Sequence, residues 1–127
     1  MMNISDMKIL ICDDSILSRK KFKDCIVNMG CNDIYEAADG EEVVNVYKEV
    51  RPNLVFMDIV MPKKDGIDAV KEIIAFDPGA KIVMASSVGT QSFLKDAIKA
   101  GATDFLQKPI DGEQVKRLIE NFLQGGN

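Results

Sequence analysis

Short apolar runs alternate with amphipathic segments along the chain, and no linker, repeat or low-complexity stretch interrupts them. Lys8-Ile9-Leu10-Ile11-Cys12 is a near-continuous apolar run ending in Asp13-Asp14, the pattern of a strand buried on both faces of a parallel sheet. From Ser15, the apolar positions Ile16, Phe22, Ile26 and Met29 return at roughly helical spacing. Arg19, Lys20, Lys23 and Asp24 are expected to face out, and Gly30 supplies a stop. Asp33-Ile34-Tyr35-Glu36-Ala37 predicts a short second strand. Asp39 then predicts an N-cap, with Glu42 at N3, for a helix through Val50 that Pro52 ends.

Leu54-Val55-Phe56-Met57 repeats the buried-strand pattern and again finishes on an aspartate, Asp58, before the turn-rich loop Met61-Pro62-Lys63-Lys64-Asp65-Gly66. A third helix is expected over Ile67 to Phe76, a fourth strand over Lys81 to Ala85 closing on Ser86-Ser87, and a fourth helix from Thr90 to Ala100 stopped by Gly101. Asp104-Phe105-Leu106-Gln107 predicts the last strand, ending on Lys108-Pro109. Asp111 caps a final helix with Val115, Leu118, Ile119 and Phe122 as its inner stripe. Strand and helix alternating at these short spacings imply right-handed crossovers and a doubly wound α/β fold, a five-stranded parallel sheet with helices on both faces. Ligands of such sheets bind beyond the carboxyl ends of the strands.

The chain's 127 residues fit one domain, expected to span 1–127 with its core at about 8–123, and 46% hydrophobic with 28% charged residues is a globular balance. Sixteen Lys and Arg against twenty Asp and Glu give a net charge of -4 without a basic run, which argues against nucleic acid as a ligand. Cys12, Cys25 and Cys31 form no Cys-x-x-Cys pair and read as buried small hydrophobes of a reduced, cytoplasmic protein. Histidine is absent, which removes Ser-His-Asp triads and imidazole zinc sites. The first residues lack the cationic start of a signal peptide, and no apolar stretch approaches the roughly 20 residues that span a bilayer, so no membrane role is expected. Met57, Met61 and Met84 are read as core filling.

The strand ends collect Asp13, Asp14, Asp58, Ser86 and Lys108 on one rim. Each has a bland explanation alone: a helix cap for Asp13 or Asp14, a turn residue for Asp58, a loop hydroxyl for Ser86, a solvated charge for Lys108. Together they have a chemical meaning. Three carboxylates repel one another unless a divalent cation joins them, and an all-oxygen site suits Mg²⁺. Asp58 then has the chemistry of a nucleophile toward a phosphoryl group whose charge the metal and Lys108 neutralise, and Ser86 can donate to that group once it has arrived.

At these residues the chain resembles the response-regulator receiver domain, the CheY-like phosphoacceptor of two-component signalling. The resemblance runs from Lys8 to Phe122, carried by Ile9 to Ser15, Met57 to Gly66, Ala85-Ser86-Ser87 and Ala100 to Pro109. It implies a flavodoxin/CheY-like sheet of order 2-1-3-4-5, the order known for such receivers. It also implies phosphorylation of Asp58, Mg²⁺ held by Asp13, Asp14, Asp58 and the backbone carbonyl of Val60, and Lys108 paired with the phosphoryl group. Ser86 is then the hydroxyl that moves toward that group, Phe105 the aromatic that turns inward with it, and the bond before Pro109 is cis. Phe105 alone would read as a half-buried strand aromatic. Ser86, Ser87, Phe105 and Ile110 stand where threonine, alanine, tyrosine and phenylalanine are frequent, and none of these changes removes a required group.

The function implied is a phosphoacceptor switch, not an enzyme with a separate substrate. It is charged by a histidine kinase or phosphotransfer protein and signals to a protein target through its fourth-helix, fifth-strand and fifth-helix face. With Gln124-Gly125-Gly126-Asn127 at its end, the chain is expected to be a stand-alone receiver, monomeric before phosphorylation. Met57 to Gly66 and Lys81 to Gln91 look most like chemotaxis-type receivers, with a flagellar motor switch as one target, while a phosphorelay intermediate is the alternative role. A haloacid-dehalogenase-type Mg²⁺ phosphatase needs Asp-x-Asp after its first strand, whereas Asp13 and Asp14 are adjacent. Their charge would also repel the phosphate of FMN in a flavodoxin-like carrier.

Val60 and Val88 are apolar where the family often places polar groups that position hydrolytic water. Phosphorylated Asp58 is therefore expected to persist without a phosphatase; a half-life of only seconds in Mg²⁺ buffer, followed by mass spectrometry, would contradict this.

Overall fold

The structure is a computed structural model that describes residues 2–125, the side chain of Val88 excepted; Gly126 and Asn127 lie outside the described residues. Strands β1 (Lys8–Cys12), β2 (Asp33–Ala37), β3 (Leu54–Asp58), β4 (Ile82–Ser86) and β5 (Asp104–Gln107) form one sheet of order β2-β1-β3-β4-β5. All four pairings are parallel, as the alternation of strands and helices requires. The helices are α1 (Ile16–Asn28), α2 (Gly40–Val50), α3 (Gly66–Phe76), α4 (Leu94–Ala100) and α5 (Gly112–Leu123).

Because successive strand side chains point to opposite faces, each apolar run feeds two cores. Leu10, Val55, Met57, Ile82 and Met84 pack with Val43 and Tyr47 of α2, Val70 and Ile73 of α3, and Ala97 of α4. On the other face Ile9, Ile11, Phe56, Val83 and Ala85 pack with Phe22 and Ile26 of α1 and Val115 and Ile119 of α5. Each fully buried aliphatic side chain contributes about 1.5–3 kcal/mol. Met57, Met61 and Met84 are buried in the first of these cores, and all three cysteines are free, with Cys12 and Cys31 buried. Leu118 and Phe122 of α5 are only half-buried at the edge of their stripe.

Side-chain caps start four helices: Ser15 before α1, Asp39 before α2, Asp65 before α3 and Asp111 before α5. Gly30 and Gly101 take positive φ past the ends of α1 and α4, as their role as stops requires. Among the described residues no helix is long and apolar enough to cross a membrane.

Two details depart from the sequence pattern. The expected fourth helix begins as a 3₁₀ turn, Val88–Phe93, and becomes α-helical only at Leu94. The Thr90 hydroxyl accepts from the Ser87 backbone N–H at 2.8 Å and donates to its carbonyl at 3.2 Å, so a local side-chain clasp competes with helical bonding. In α1, Ile16 is 73% exposed and Leu17 80%. The inner stripe instead starts at Ser18 and Arg19, one turn before Phe22, and the helix's first turn leaves Ile16 to solvent.

Tyr47 ties α2 to the end of α3 by donating its hydroxyl to the Asp77 carboxylate at 2.7 Å, and that bond holds the Asp77 pKa below the usual carboxylate range. A carboxylate with a lowered folded pKa adds stability above its unfolded value, and loses it as pH falls through the folded one. Tyr47→Phe is expected to cost about 1 kcal/mol at pH 7. The deficit relative to wild type should narrow below about pH 4, where Asp77 protonates in the unfolded chain; urea unfolding at a series of pH values measures both.

Candidate functional site

The site is assembled by register. Cys12 pairs with Met57, so the residues that follow them, Asp13 and Asp58, emerge side by side from β1 and β3. Ser86 pairs with Gln107, and the backbone N–H of Lys108 donates to the Ser86 carbonyl at 2.7 Å, so the ends of β4 and β5 are equally joined. The side chains of Asp13, Asp14 and Asp58 each offer an oxygen within 4.8 Å of the others.

Lys108 is the cation among them. Its ammonium donates to Asp13 Oδ2 at 2.6 Å and to Asp58 Oδ2 at 3.0 Å. Asp13 is 1% exposed, and its second oxygen, Oδ1, accepts from the Ser15 N–H at 2.9 Å; Asp14 is exposed. Burial lowers the Lys108 pKa, but the hydrogen bonds to Asp13 and Asp58 outweigh it and the net shift is upward. Burial raises the Asp58 pKa, and the Asp13 charge adds to it, against the hydrogen bond from Lys108.

The bland explanations fail one by one. Ser15, not Asp13 or Asp14, caps α1, its hydroxyl accepting from the Ser18 N–H at 3.2 Å. Asp58 closes a strand, and Lys108 is ion-paired with only 20% of its side chain exposed. The Ser86 hydroxyl is fully buried and without a hydrogen-bond partner among the described residues. A buried hydroxyl without a partner is uncommon in a folded protein and calls for an explanation.

Packing fixes the loop behind Asp58. The Gly66 N–H donates to the Ile59 carbonyl at 2.6 Å, and a Cβ on Gly66 would overlap the Asp58 carbonyl, so only glycine lets α3 start this close to the strand end. Beneath the site the buried Cys12 thiol donates to Met61 Sδ at 3.1 Å, and burial pushes its pKa up, so it stays a neutral thiol. Val60 lies two residues beyond Asp58 with its side chain exposed; that of Val88 lies outside the described residues. The Lys108-Pro109 bond is cis, and Phe105 of β5 is 49% exposed, pointing away from the core.

Three close carboxylates are an oxygen-only donor set that fits a hard divalent cation, which would relieve their repulsion. One contributor escaped the sequence pattern. Arg19, expected to face out, donates from Nη1 to the Asp13 carbonyl at 2.6 Å. The available signal is its place four residues after the cap Ser15: helical side chains lean toward the N-terminus, which brings Arg19 back over the strand end.

Comparison with known proteins agrees with this geometry. The family described as response regulator receiver domain matches residues 9–120. The chain is 46% identical over 113 residues to the chemotaxis protein CheY of Thermotoga maritima, covering 89% of this chain and 92% of that protein. It is likewise 46% identical over 116 residues to the chemotaxis protein CheY of Bacillus subtilis, covering 91% and 97% respectively. Among solved structures, a chain of the CheX-CheY-BeF₃-Mg²⁺ complex from Borrelia burgdorferi superposes with a TM-score of 0.84 at 38% identity, over 91% of this chain and 89% of that one.

A raised folded pKa means that ionised Asp58 costs the fold stability. The penalty is absent below the unfolded pKa of about 3.9 and complete above the folded one. Asp58→Asn is therefore expected to raise Tm by a few degrees at pH 7 in a metal chelator, with the gain fading toward pH 4; thermal unfolding across that range decides it.

Proposed function

This chain belongs to the response regulator receiver family, and from that premise we propose that Asp58 is its phosphoacceptor, working with Mg²⁺ in a chemotaxis-type signalling switch. The protein is a phosphoacceptor in signalling, not an enzyme that turns over a separate substrate. The observation that carries the assignment of Asp58 is its place 3.0 Å from the Lys108 ammonium, beside two further carboxylates and next to a strand end whose buried hydroxyl has no partner among the described residues.

Asp13, Asp14 and Asp58 would hold Mg²⁺, with the Val60 carbonyl as a further ligand; when bound, the ion supplies positive charge against the incoming phosphoryl oxygens. An Asp58 oxygen attacks phosphorus in line with the leaving group. The new O–P bond forms as the P–N bond to a donor histidine breaks, and the imidazole leaves as the neutral ring after taking up a proton. Lys108 keeps a cation beside the oxygen that receives the group, and its raised pKa keeps it charged at neutral pH. The Ser86 hydroxyl then donates to a phosphoryl oxygen, gaining the partner it lacks.

That bond draws the start of the 3₁₀ turn after β4 toward the site and vacates space into which Phe105 turns, which changes the face made by α4, β5 and α5. Phosphorylation selects this arrangement from those already sampled. The donor is a histidine kinase or phosphotransfer protein. Two similar proteins being chemotaxis proteins supports that pathway, and the solved complex of a similar CheY with CheX, BeF₃ and Mg²⁺ supports both the ion and a regulatory protein partner.

Incubated with Mg²⁺ and acetyl phosphate, the wild type is expected to gain one labile phosphoryl group by mass spectrometry, and Asp58→Asn none. No adduct on the wild type, or an equal one on the variant, would overturn the assignment.

A further inference from the structure

Arg19 was assigned by its sequence to the solvated face of α1, yet only 16% of its side chain is exposed and its guanidinium joins three parts of the fold. Nη1 donates to the Asp13 carbonyl at 2.6 Å, and Nε donates to Glu36 Oε1 of β2 at 3.2 Å. Lys23, one turn further along α1, adds a second cation at 3.5 Å from Glu36. The Asp13 N–H in turn donates to the carbonyl of Ala37, the residue after Glu36, at 3.2 Å. Asp13, Ala37, Glu36 and Arg19 thus close a ring in which both backbone groups of Asp13 are held from the edge strand.

The Asp13 carbonyl shares its rigid peptide plane with the Asp14 N–H. A hydrogen bond to that oxygen sets the rotation of the plane and with it the direction in which Asp14 leaves the strand end. Asp14 is exposed, and no hydrogen bond to its carboxylate was found among the described residues, whereas the Asp13 carboxylate is already gripped by Lys108 and the Ser15 N–H. The repulsion among three carboxylates within 4.8 Å would turn Asp14 outward unless the backbone held it.

We propose that Arg19, anchored by Glu36, is a positioning residue of the divalent-cation site, fixing the Asp13–Asp14 peptide so that Asp14 faces Asp13 and Asp58. This rests on the reading of those three carboxylates as the Mg²⁺ site. The guanidinium suits the task because its rigid planar fork presents Nε to the carboxylate and Nη1 to the carbonyl in a fixed geometry, which the flexible point charge of a lysine does not impose. Outer residues that orient metal ligands typically change affinity about 10–100-fold when removed.

The sign of the effect separates positioning from simple charge. Removing a cation near a cation site strengthens Mg²⁺ binding if Arg19 acts only through its charge, and weakens it if Arg19 orients the ligands. The experiment is calorimetric titration of the whole protein with Mg²⁺, without a phosphodonor, on wild type, Arg19→Gln and Lys20→Gln, the last removing the neighbouring charge, which pairs with Asp24 in α1. The expected result is an about tenfold weaker Kd for Arg19→Gln and no change for Lys20→Gln. With Mg²⁺ in excess, the acetyl phosphate reaction of Arg19→Gln should return to within about twofold of wild type, since the defect lies in ion affinity. Arg19→Lys, which keeps the charge but not the planar fork, is expected to fall between wild type and Arg19→Gln. It carries the test if the glutamine variant does not fold. An unchanged or tighter Kd in both Arg19 variants, or a lowered Tm with Kd unchanged, overturns the proposal. A wild type that binds no Mg²⁺ refutes the site reading itself, an outcome visible before any variant is compared.

Discussion

The Lys108 ammonium, suspended between Asp13 and Asp58, is the contact on which the functional end of this fold depends. It joins residues 95 and 50 positions apart in the chain, from β1, β3 and the end of β5. Without a cation there, a buried and a half-buried carboxylate would face each other within 4.8 Å, an arrangement that neutralises by taking up protons. One ammonium against three carboxylates still leaves the rim negative. A divalent ion would offset that remaining charge.

Everything beneath the rim serves to hold it still. The sheet is buried on both faces, so a one-residue slip of any strand would exchange its two cores as well as misplace its terminal residue. The same pairing that buries Met57 between its neighbours therefore delivers Asp58 to Asp13. Behind β3, the close approach of Gly66 to the Asp58 carbonyl and the thiol contact of Cys12 with Met61 leave the following loop little freedom. Carboxylates held this firmly would need little reorganisation to accept a ligand.

The side of the site formed by β4 and β5 is built differently. Ser86 is buried with an unsatisfied hydroxyl, its strand runs into a 3₁₀ turn closed by Ser87 and Thr90, and Phe105 leaves half its surface in water. The unpartnered hydroxyl and the exposed aromatic surface each cost some stability in this arrangement. One rim thus joins a tightly hydrogen-bonded side, at β1 and β3, to a less satisfied side at β4 and β5.

The local pattern of residues determined the strands, the helices with their caps and stops, and the clustering of acids at strand ends. Those signals are written within a few positions of one another: two-face burial makes a strand uniformly apolar, and a cap must sit next to the helix it starts. From there the order of elements leads to a doubly wound sheet, and the sheet to a rim. The tertiary structure alone decided which acid is buried, since Asp13 and Asp14 are equivalent as text yet only Asp13 meets Lys108. It decided that Ile16 faces water while Arg19 turns in to the strand end, because what a helix's first turn covers depends on where the neighbouring strands stop. It also left the Ser86 hydroxyl without a hydrogen-bond partner among the described residues, a fact that no local pattern can carry, since a missing hydrogen bond is a property of everything that surrounds the hydroxyl in space.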